Sequence, residues 1–351
     1  MSNPKRIIIP TGYMGSGSSV ITDLMSEIEG VDVSRGTFEY VFMHCPNGIF
    51  DLEDKLLIGN NAVRSDEALH SFEKTMKQLY NKKYWWVGNY KENIGEGFWQ
   101  ATKDYIDSIT DVESDYYWYY QENTTFRMFL KLCVNKVLKL ITLNKFQPEK
   151  VLSYSPMKLS FTEPDRFYSA SKDYIYKLFN MAGYKDKSIL FDQLLLPFNL
   201  FRFENYFNDD AFVFVIERDP RDVFISNKYY WSKNGEPVPY PTNVKDFCKY
   251  YRNLRKMETK TQSERICRIK FEDLIYNYDE TISTIFKKLG WDQGSHKQKK
   301  TKFNPEKSIH NTQLFLKNQK YAEECEYIAQ ELSEYIYDFP YEIQHDGYDV
   351  F

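Results

Sequence analysis

Residues 6–30, RIIIPTGYMGSGSSVITDLMSEIEG, contain the clearest sequence pattern of this chain. It begins with a short apolar run, RIIIP, of the kind that forms a buried β-strand. A glycine-rich segment follows, and then SSVITDLMSEIEG, whose apolar spacing predicts a helix that stops at Gly30. A strand, a glycine-rich loop and a helix in this order are typical of a site that holds an oxyanion at the helix N-terminus.

The loop has the glycines of a phosphate-binding loop but not its lysine. It spells G-x-x-x-x-G-S-S, with Gly12 and Gly17 at the two glycine positions. Glycines let backbone N–H groups converge on an oxyanion, and the hydroxyls of Ser18 and Ser19 add donors. Because Ser18 stands where an NTPase has lysine, γ-phosphate chemistry fits poorly. A donor with a single phosphate at its 5′ end fits better, and a purely structural glycine turn is the alternative.

Length and composition indicate a globular protein. The 351 residues suffice for one large α/β domain or two smaller ones. The 29 tyrosines and 26 phenylalanines stand out and suit both a core and a substrate cleft. A net charge of −4 argues against a nucleic-acid partner, which calls for a basic excess. The sequence shows neither an apolar run of about 18 residues nor a signal-peptide pattern, so we expect no membrane span and a cytoplasmic location.

The cysteines and histidines do not predict a metal site. The five cysteines are scattered without a C-x-x-C pair, and the five histidines have no ligand spacing. Scattered cysteines of this kind are typical of reduced thiols that fill a core. We therefore expect neither disulfides nor a bound metal.

Strand and helix patterns return in the last third of the chain. SILFDQLLL (188–196), AFVFVIERD (211–219) and RICRIKF (265–271) predict strands. DETISTIFKKLG (279–290) predicts a helix with a glycine stop. Strands that alternate with helices predict an α/β fold, a doubly wound parallel sheet flanked by helices, with ligands at the carboxyl ends of the strands.

The middle of the chain, residues 60–187, predicts a large, mainly helical and aromatic-rich insertion. Its longest helical run, TTFRMFLKLCVNKVLKLITLNKF (124–146), is basic and partly amphipathic. We expect a core or lid helix there, with peripheral membrane contact as the alternative. The segments YNKKYWWVGNY (80–90) and DYYWYYQEN (115–123) suit stacking on sugar rings and equally an apolar pocket.

A second motif follows the strand at 211–219. Arg218 stands at the predicted strand end, and Ser226 follows eight residues later in RDPRDVFIS. Such an arginine and serine can converge on one phosphate, with the arginine supplying a bidentate, charge-assisted contact. The alternative for Arg218 is a surface ion pair.

Together the two motifs resemble the sulfotransferases that use 3′-phosphoadenosine-5′-phosphosulfate (PAPS). In that family a loop after the first strand holds the 5′-phosphosulfate, and an R-x7-S motif holds the 3′-phosphate. The segment RIKFEDLIYNYDETISTIFKKLGW (268–291) is similar to the family's strand, turn and helix, and FNPEKSIHNTQLFLKN (303–318) to its loop over the nucleotide. The resemblance covers roughly residues 6–30 and 188–320.

The resemblance implies a metal-independent enzyme that binds PAPS and releases 3′,5′-ADP. It also implies one sulfotransferase domain over 1–351, with 188–320 as the second half of the nucleotide-binding core and 60–187 on the acceptor side. The implied nucleotide-binding residues are Gly12, Gly15, Ser16, Gly17, Ser18, Ser19, Arg218, Ser226, Lys307 and Ser308.

One position departs from the family. Family loops usually carry a lysine or arginine just before Ser-Gly, whereas this chain has Gly15. Losing that cation costs a few kcal/mol of transition-state stabilisation, about the worth of one oxyanion-hole donor. Arg35, Lys158 and Lys172 are candidate replacements, and a slow enzyme or a non-catalytic binder are the alternatives.

The acceptor hydroxyl needs a general base. Relatives that act on small molecules use a histidine at the end of the strand before the R-x7-S motif, where this chain has Asp192. Glycan-modifying relatives use a glutamate after the first helix, where this chain offers Glu39 and His44. The alternative for Asp192 is a helix cap, and for His44 an ordinary core or surface histidine.

The acceptor predicted from these features is a glycan, a glycolipid or a sterol-like alcohol. Two other functions stay open. In a P-loop kinase or NTPase, Asp192 would be a magnesium ligand, although the missing loop lysine argues against it. A non-catalytic nucleotide-binding protein is consistent with Gly15.

Overall fold

The structure is a computed structural model that describes residues 3–33, 39–81, 87–115, 126–148, 156–233, 235 and 238–345. Arg35, residues 82–86 of the first aromatic segment and residues 116–123 of the second lie outside the described residues.

Five parallel strands form the central sheet of the described chain. Two further strands pair antiparallel in the middle region. The strands are β1 (Ile7–Gly12), β2 (Val31–Asp32), β3 (Val112–Ser114), β4 (Met157–Leu159), β5 (Ser188–Leu190), β6 (Ala211–Glu217) and β7 (Ile266–Lys270). The order across the central sheet is β2-β5-β1-β6-β7, with β1 paired along its whole length to β6 from Ile7–Ala211 to Gly12–Ile216. The predicted parallel sheet is confirmed.

Helices fill the segments between the strands. The α-helices are α1 (Ser19–Ser26), α2 (Ile49–Leu57), α3 (Ala62–Asn81), α4 (Tyr90–Asn93), α5 (Phe98–Ile109), α6 (Phe126–Ile141), α7 (Pro164–Met181), α8 (Phe203–Tyr206), α9 (Pro220–Ile225), α10 (Val244–Lys256), α11 (Asp273–Tyr276), α12 (Tyr278–Leu289), α13 (Pro305–Ser308) and α14 (Ala322–Glu331). Short 3₁₀ helices are Pro197–Arg202, Gln293–Ser295, Ile309–Asn311, Leu314–Leu316, Gln319–Tyr321 and Ser333–Tyr335, and a π-helical turn is Ser226–Trp231.

Alternation along the strands divides the core into two layers. Ile8 of β1 packs with α1 and α12, whereas Ile7 and Ile9 pack with the aromatic helices α2, α3, α5 and α7. The isoleucines of β1 are buried on both faces of the sheet. For this reason the strand has consecutive apolar residues instead of alternating apolar and polar ones. Helices therefore cover both faces of the sheet, as a doubly wound fold requires.

Element ends differ from the sequence expectation at two places. Helix α1 ends at Ser26, with Glu27 as its C-cap, so Gly30 serves the turn into β2 with φ +86° instead of stopping the helix. Strand β5 covers only three residues of 188–196, because the chain turns sharply at Gln193, which has φ +54°.

The middle of the chain is mainly helical, as predicted, and carries the small β3–β4 sheet. Helix α6 contradicts the expectation of a core helix, because Met128 is its one buried residue. No helix in the described part of the chain combines the length and the apolar character needed to cross a bilayer.

Candidate functional site

Four neighbouring strand ends bring the predicted site residues to one edge of the sheet. The loop after β1 lies at the centre, between the end of β5 with Asp192 and the end of β6 with Arg218. Phe271 follows β7 next to them. In open α/β sheets this carboxyl edge is where ligands bind.

The glycines of the loop are required by its geometry. Gly15 and Gly17 have φ of +79° and +82°, a left-handed conformation that other residues adopt only with strain. A side chain at Gly12 would start 2.7 Å from the carbonyl oxygen of Ile216 and would also strike Ser16 Oγ. Three glycines thus leave the loop backbone bare at the N-terminus of α1, which favours an anion there.

Trp231 explains why position 15 has no cationic side chain. A Cβ at Gly15 would lie 3.0 Å from Cη2 of the Trp231 indole and 3.5 Å from Val223 Cγ1. A side chain at position 15 would therefore start against an aromatic ring, on a backbone that is already in the left-handed region. Lys158 pairs through Nζ with Glu113 at 3.5 Å, and among the described residues neither Lys158 nor Lys172 forms a hydrogen bond or ion pair with this loop.

Gln193 fastens the loop to the neighbouring strand end. Its side-chain amide donates to Ser18 Oγ at 2.9 Å and accepts from Thr11 Oγ1 at 3.2 Å, so that it spans both ends of the loop. Its backbone N–H donates to the carbonyl of Pro10 at 3.0 Å. A non-glycine residue held in the left-handed region beside a ligand site is a common sign of a functional constraint. The left-handed turn follows from these contacts and has no local sequence signal.

Arg218 connects the loop to the C-terminal part of the chain. The guanidinium donates to the carbonyl of Gly15 at 3.2 Å and to the carbonyl of Asn311 at 2.5 Å, and it lies 5.1 Å from the ring centre of Phe271. Its Nε is buried without a partner. An arginine has five N–H donors, so this one keeps donor capacity for a further acceptor beside the loop.

Ser226 is fully buried, and its hydroxyl has no partner. It stands where α9 passes into the π-helical turn Ser226–Trp231. Of the two motif residues, Arg218 bonds the glycine loop through the Gly15 carbonyl, and no hydrogen bond joins Ser226 to Arg218 in the described structure.

The three candidate bases gather at the end of β5. Tyr40 N donates to the carbonyl of Asp192 at 2.9 Å, and His44 Nε2 donates to the carbonyl of Gln193 at 2.8 Å. Burial, and next the charge of Glu39, raise the pKa of Asp192 to about 7. The carboxyl is 5% exposed, and its Oδ1 has no partner. A buried carboxyl whose pKa is raised toward neutral pH and whose Oδ1 has no partner has the properties of a general base.

The other two candidates differ from Asp192 in their surroundings. Burial raises the pKa of Glu39 and lowers the pKa of His44. Because the Gln193 carbonyl can only accept, Nε2 of His44 carries its proton and only Nδ1 is left to act as a base. The helix that follows Asp192 begins after Leu196 and has no side-chain N-cap, so the structure gives Asp192 no capping role there.

The buried acids Asp219, Asp222 and Glu272 accept hydrogen bonds from backbone N–H groups around the R-x7-S motif. Asp219 caps α9 and accepts from Tyr337 N at 3.0 Å, and Asp222 accepts from Gln313 N and Leu314 N at 2.9 and 2.7 Å. Buried Glu272 accepts from Asp219 N at 2.8 Å, and burial raises its pKa to about 8. These carboxyl groups position the C-terminal segment over the strand ends.

The segment 303–318 reaches the loop through Asn311. Glu27, at the end of α1, anchors the start of this segment by accepting from Lys302 N and Phe303 N at 2.8 and 2.9 Å. Lys307 is exposed on α13 and Ser308 is half-buried. No hydrogen bond or ion pair joins either of them to the glycine loop among the residues described.

No group of three or more histidine, cysteine, aspartate or glutamate side chains with metal-ligand geometry is found in the described ranges. The cysteines there are free thiols.

Comparison with known proteins identifies the class. A family model described as the sulfotransferase family matches residues 51–295, which is more than half of the chain. The protein therefore belongs to the sulfotransferase family, and the family predicted from the two motifs is confirmed. The matched region contains Arg218 and Ser226, whereas the glycine loop precedes it.

Two solved structures resemble the chain over nearly its whole length. One is the sulfotransferase domain from the Synechococcus PCC 7002 olefin synthase, with 13% identity, a TM-score of 0.39, and coverage of 97% of this chain and 98% of that domain. The other is a sulfotransferase domain from the curacin biosynthetic pathway, with 14% identity, a TM-score of 0.38, and coverage of 97% and 100%. No curated protein matches the chain significantly.

Proposed function

We propose that this member of the sulfotransferase family moves the sulfuryl group of PAPS to a hydroxyl group of an acceptor. The observation that carries the proposal is a set of buried donors without partners: Ser16 Oγ, Arg218 Nε and Ser226 Oγ. Buried polar atoms in folded proteins are nearly always paired. Two of these donors, Ser16 Oγ and Arg218 Nε, belong to the glycine loop and to the arginine that bonds it, so they favour a ligand that supplies acceptor oxygens, which is an anion.

The two ends of the site suit the two anionic groups of PAPS. The bare backbone of Gly12–Ser19 and the N-terminus of α1 suit the 5′-phosphosulfate. Arg218 and Ser226 suit the 3′-phosphate, and Lys307 and Ser308 would cover the nucleotide from the segment 303–318. All of these anion ligands are backbone amides, hydroxyls and side-chain cations, so the proposal requires no metal.

Asp192 is the proposed base. Its carboxylate would accept the proton of the acceptor hydroxyl, whose oxygen forms a bond to sulfur. The bond between sulfur and the bridging oxygen breaks, and its electron pair leaves with 3′,5′-ADP. With Trp231 beside Gly15, the charge on the leaving oxygen would be stabilised by the loop amides and serine hydroxyls rather than by a loop lysine.

The acceptor is proposed to be a glycan, a glycolipid or a sterol-like alcohol. The helices between residues 60 and 187 would form its side of the site, and one domain would include the whole chain. A screen with labelled PAPS against glycan and sterol acceptors tests this part.

Nucleotide binding tests the core of the proposal. Thermal stabilisation is measured with adenosine 3′,5′-bisphosphate, with adenosine 5′-monophosphate and with Mg-ATP, for the wild type and for Arg218→Ala. We expect metal-free stabilisation by the bisphosphate. We also expect Arg218→Ala to lose roughly tenfold to a hundredfold in bisphosphate affinity, the worth of a charged hydrogen bond. Binding of the monophosphate should change far less. Arg64→Ala, at an exposed arginine of α3, is the control.

Other outcomes separate the alternatives. Equal losses for both nucleotides would contradict the assignment of Arg218 to the 3′-phosphate. Preference for Mg-ATP, or turnover that EDTA abolishes and magnesium restores, would indicate a kinase-like protein. Bisphosphate binding without turnover on any acceptor would indicate a non-catalytic binder.

A further inference from the structure

Helix α6 presents a large apolar surface to solvent. Nearly all of its apolar side chains are exposed, by 38% at Leu138 up to 75% at Phe126. Monomeric proteins rarely expose contiguous apolar patches of this kind unless the patch has a binding role. The exposed apolar residues of α6 are Phe126, Phe129, Leu130, Leu132, Val134, Val137, Leu138, Leu140 and Ile141.

The helix is amphipathic, but it is turned the opposite way from a core helix. At 100° per residue, one half of the helix holds only apolar residues: Phe126, Phe129, Leu130, Cys133, Val134, Val137, Leu140 and Ile141. We call this half the apolar face. On the other half, Met128 is buried and Lys131 and Asn135 are half-buried. The polar half therefore lies toward the protein, and the apolar face lies toward solvent.

The charges around the apolar face have one sign. Residues 126–148 contain five basic and no acidic side chains, although the whole chain has a net charge of −4. Exposed Arg127 and Lys136 fall at the two borders of the apolar face, exposed Lys139 lies on the other half of the helix, and exposed Lys145 follows its end. An apolar face bordered by lysine and arginine on a helix is the arrangement that binds an anionic membrane surface.

A second copy of the helix is a poorer partner. Two apolar faces packed together would bring basic borders against basic borders, whereas paired helices usually match opposite charges there. The helix has 16 residues and is about 24 Å long, too short to span a bilayer but suited to lie in its interface. The long side chains at the borders can extend to lipid phosphates while the apolar face enters the acyl region.

We propose that α6 docks the protein on an anionic lipid bilayer, with the apolar face inserted in the membrane interface. The proposal is independent of the proposed transferase chemistry, because none of the site residues lies on α6. If the acceptor carries a lipid, docking would hold the enzyme at the surface where that acceptor is found.

Vesicle binding tests the proposal on the full chain. Sedimentation is compared for vesicles of phosphatidylcholine alone and for an equal mixture with phosphatidylglycerol. We expect binding to the anionic vesicles that weakens as salt is raised. Ile141→Gln should reduce the partition coefficient about tenfold or more, because it removes one inserted side chain. The matched control is Ile58→Gln, at a similarly exposed isoleucine outside α6: Ile58 is 66% and Ile141 72% exposed.

Charge and depth are tested separately. Lys136→Gln should weaken anionic binding about fivefold, the worth of one lysine at such a surface, while Lys256→Gln, at an exposed lysine of α10, should leave it unchanged. Cys133 is an exposed cysteine at the middle of the apolar face. An environment-sensitive dye on Cys133 should shift to the blue with anionic vesicles and be quenched by lipids brominated in their tails.

Three results would overturn the proposal. The first is a wild type that ignores anionic vesicles. The second is binding without any dye shift, which would mean adsorption by charge alone. The third is a dimer in light scattering that Ile141→Gln separates and Ile58→Gln does not, since the apolar face would then be an interface between copies of the chain.

Discussion

Replacing Asp192 by asparagine tests whether the end of β5 carries a base or a structural group. The change keeps the shape of the side chain and removes its charge. In the wild type this carboxyl is almost fully buried, its Oδ1 lacks a partner, and burial together with the charge of Glu39 raises its pKa from 3.8 to about 7. The same pKa rise predicts both the pH profile of turnover and the pH dependence of stability.

The magnitude follows from linkage. A rise from 3.8 to about 7 corresponds to about 4 kcal/mol, at about 1.4 kcal/mol for each pH unit. Since the folded state holds this proton more tightly than the unfolded state, stability from this group is full below pH 4. It is lost progressively as pH rises toward 7 and is constant above that. Asp192→Asn should abolish this loss, so the variant gains stability relative to the wild type at pH 8 and not at pH 4.

Turnover should rise with pH over the range in which stability falls. If Asp192 is the base, wild-type kcat/KM rises with pH through about 7, and Asp192→Asn lowers kcat about a hundredfold or more while nucleotide binding persists. Urea unfolding at several pH values and initial rates measure the two effects. Asp107→Asn, at an exposed aspartate of α5, is the control. A variant that is less stable at every pH yet retains its turnover would refute the role of Asp192 as the base.

Three further predictions concern the loop and its neighbours. Gly15→Lys should destabilise the protein by about 1–2 kcal/mol or more, because φ is +79° and Trp231 lies 3.0 Å from the new Cβ. Trp231→Ala should relieve part of that loss in a double-mutant cycle, and additive effects would contradict the contact. Burial raises the pKa of Glu272 from 4.5 to about 8, so this carboxyl makes the wild-type free energy of unfolding fall by about 1.4 kcal/mol per pH unit over that range. Glu272→Gln should remove this contribution from the pH dependence measured by urea unfolding. An unchanged slope would contradict the prediction. His44→Asn should cost about 1 kcal/mol of stability for the lost bond to Gln193 and keep most turnover; a hundredfold drop in rate would move the base to His44.

The sequence predicts those parts of the fold that local pattern determines. The isoleucines of β1 and the apolar run of β6 are continuous because both faces of these strands are buried, so their pattern is unmistakable. The positive φ angles of Gly15 and Gly17 are likewise what a glycine-rich strand–helix loop indicates. The same pattern predicts that Arg218 follows a strand, where parallel neighbours place it at the ligand edge.

Long-range contacts account for what the sequence could not predict. Gln193 reaches Ser18 across 175 positions, and Asn311 reaches Arg218 across 93, so neither contact leaves a periodicity or a local motif. Nothing in the local sequence indicates that Trp231 lies against Gly15, because a π-helical turn brings its ring there. For helix α6 the sequence predicts the amphipathic helix correctly, but its pattern does not determine which half of the helix packs on the protein.

The missing loop lysine and the contacts of Arg218 belong to one arrangement. Trp231 lies against Gly15, and Arg218 donates to the Gly15 carbonyl, so a cation acts on the loop backbone from the neighbouring strand. The same guanidinium donates to the carbonyl of Asn311, so one side chain after β6 bonds both the glycine loop and the segment 303–318. Arg218→Ala would therefore loosen the loop as well as remove an anion ligand. For this reason the difference between the 3′-phosphorylated and dephosphorylated nucleotides, rather than total affinity, isolates its direct contact.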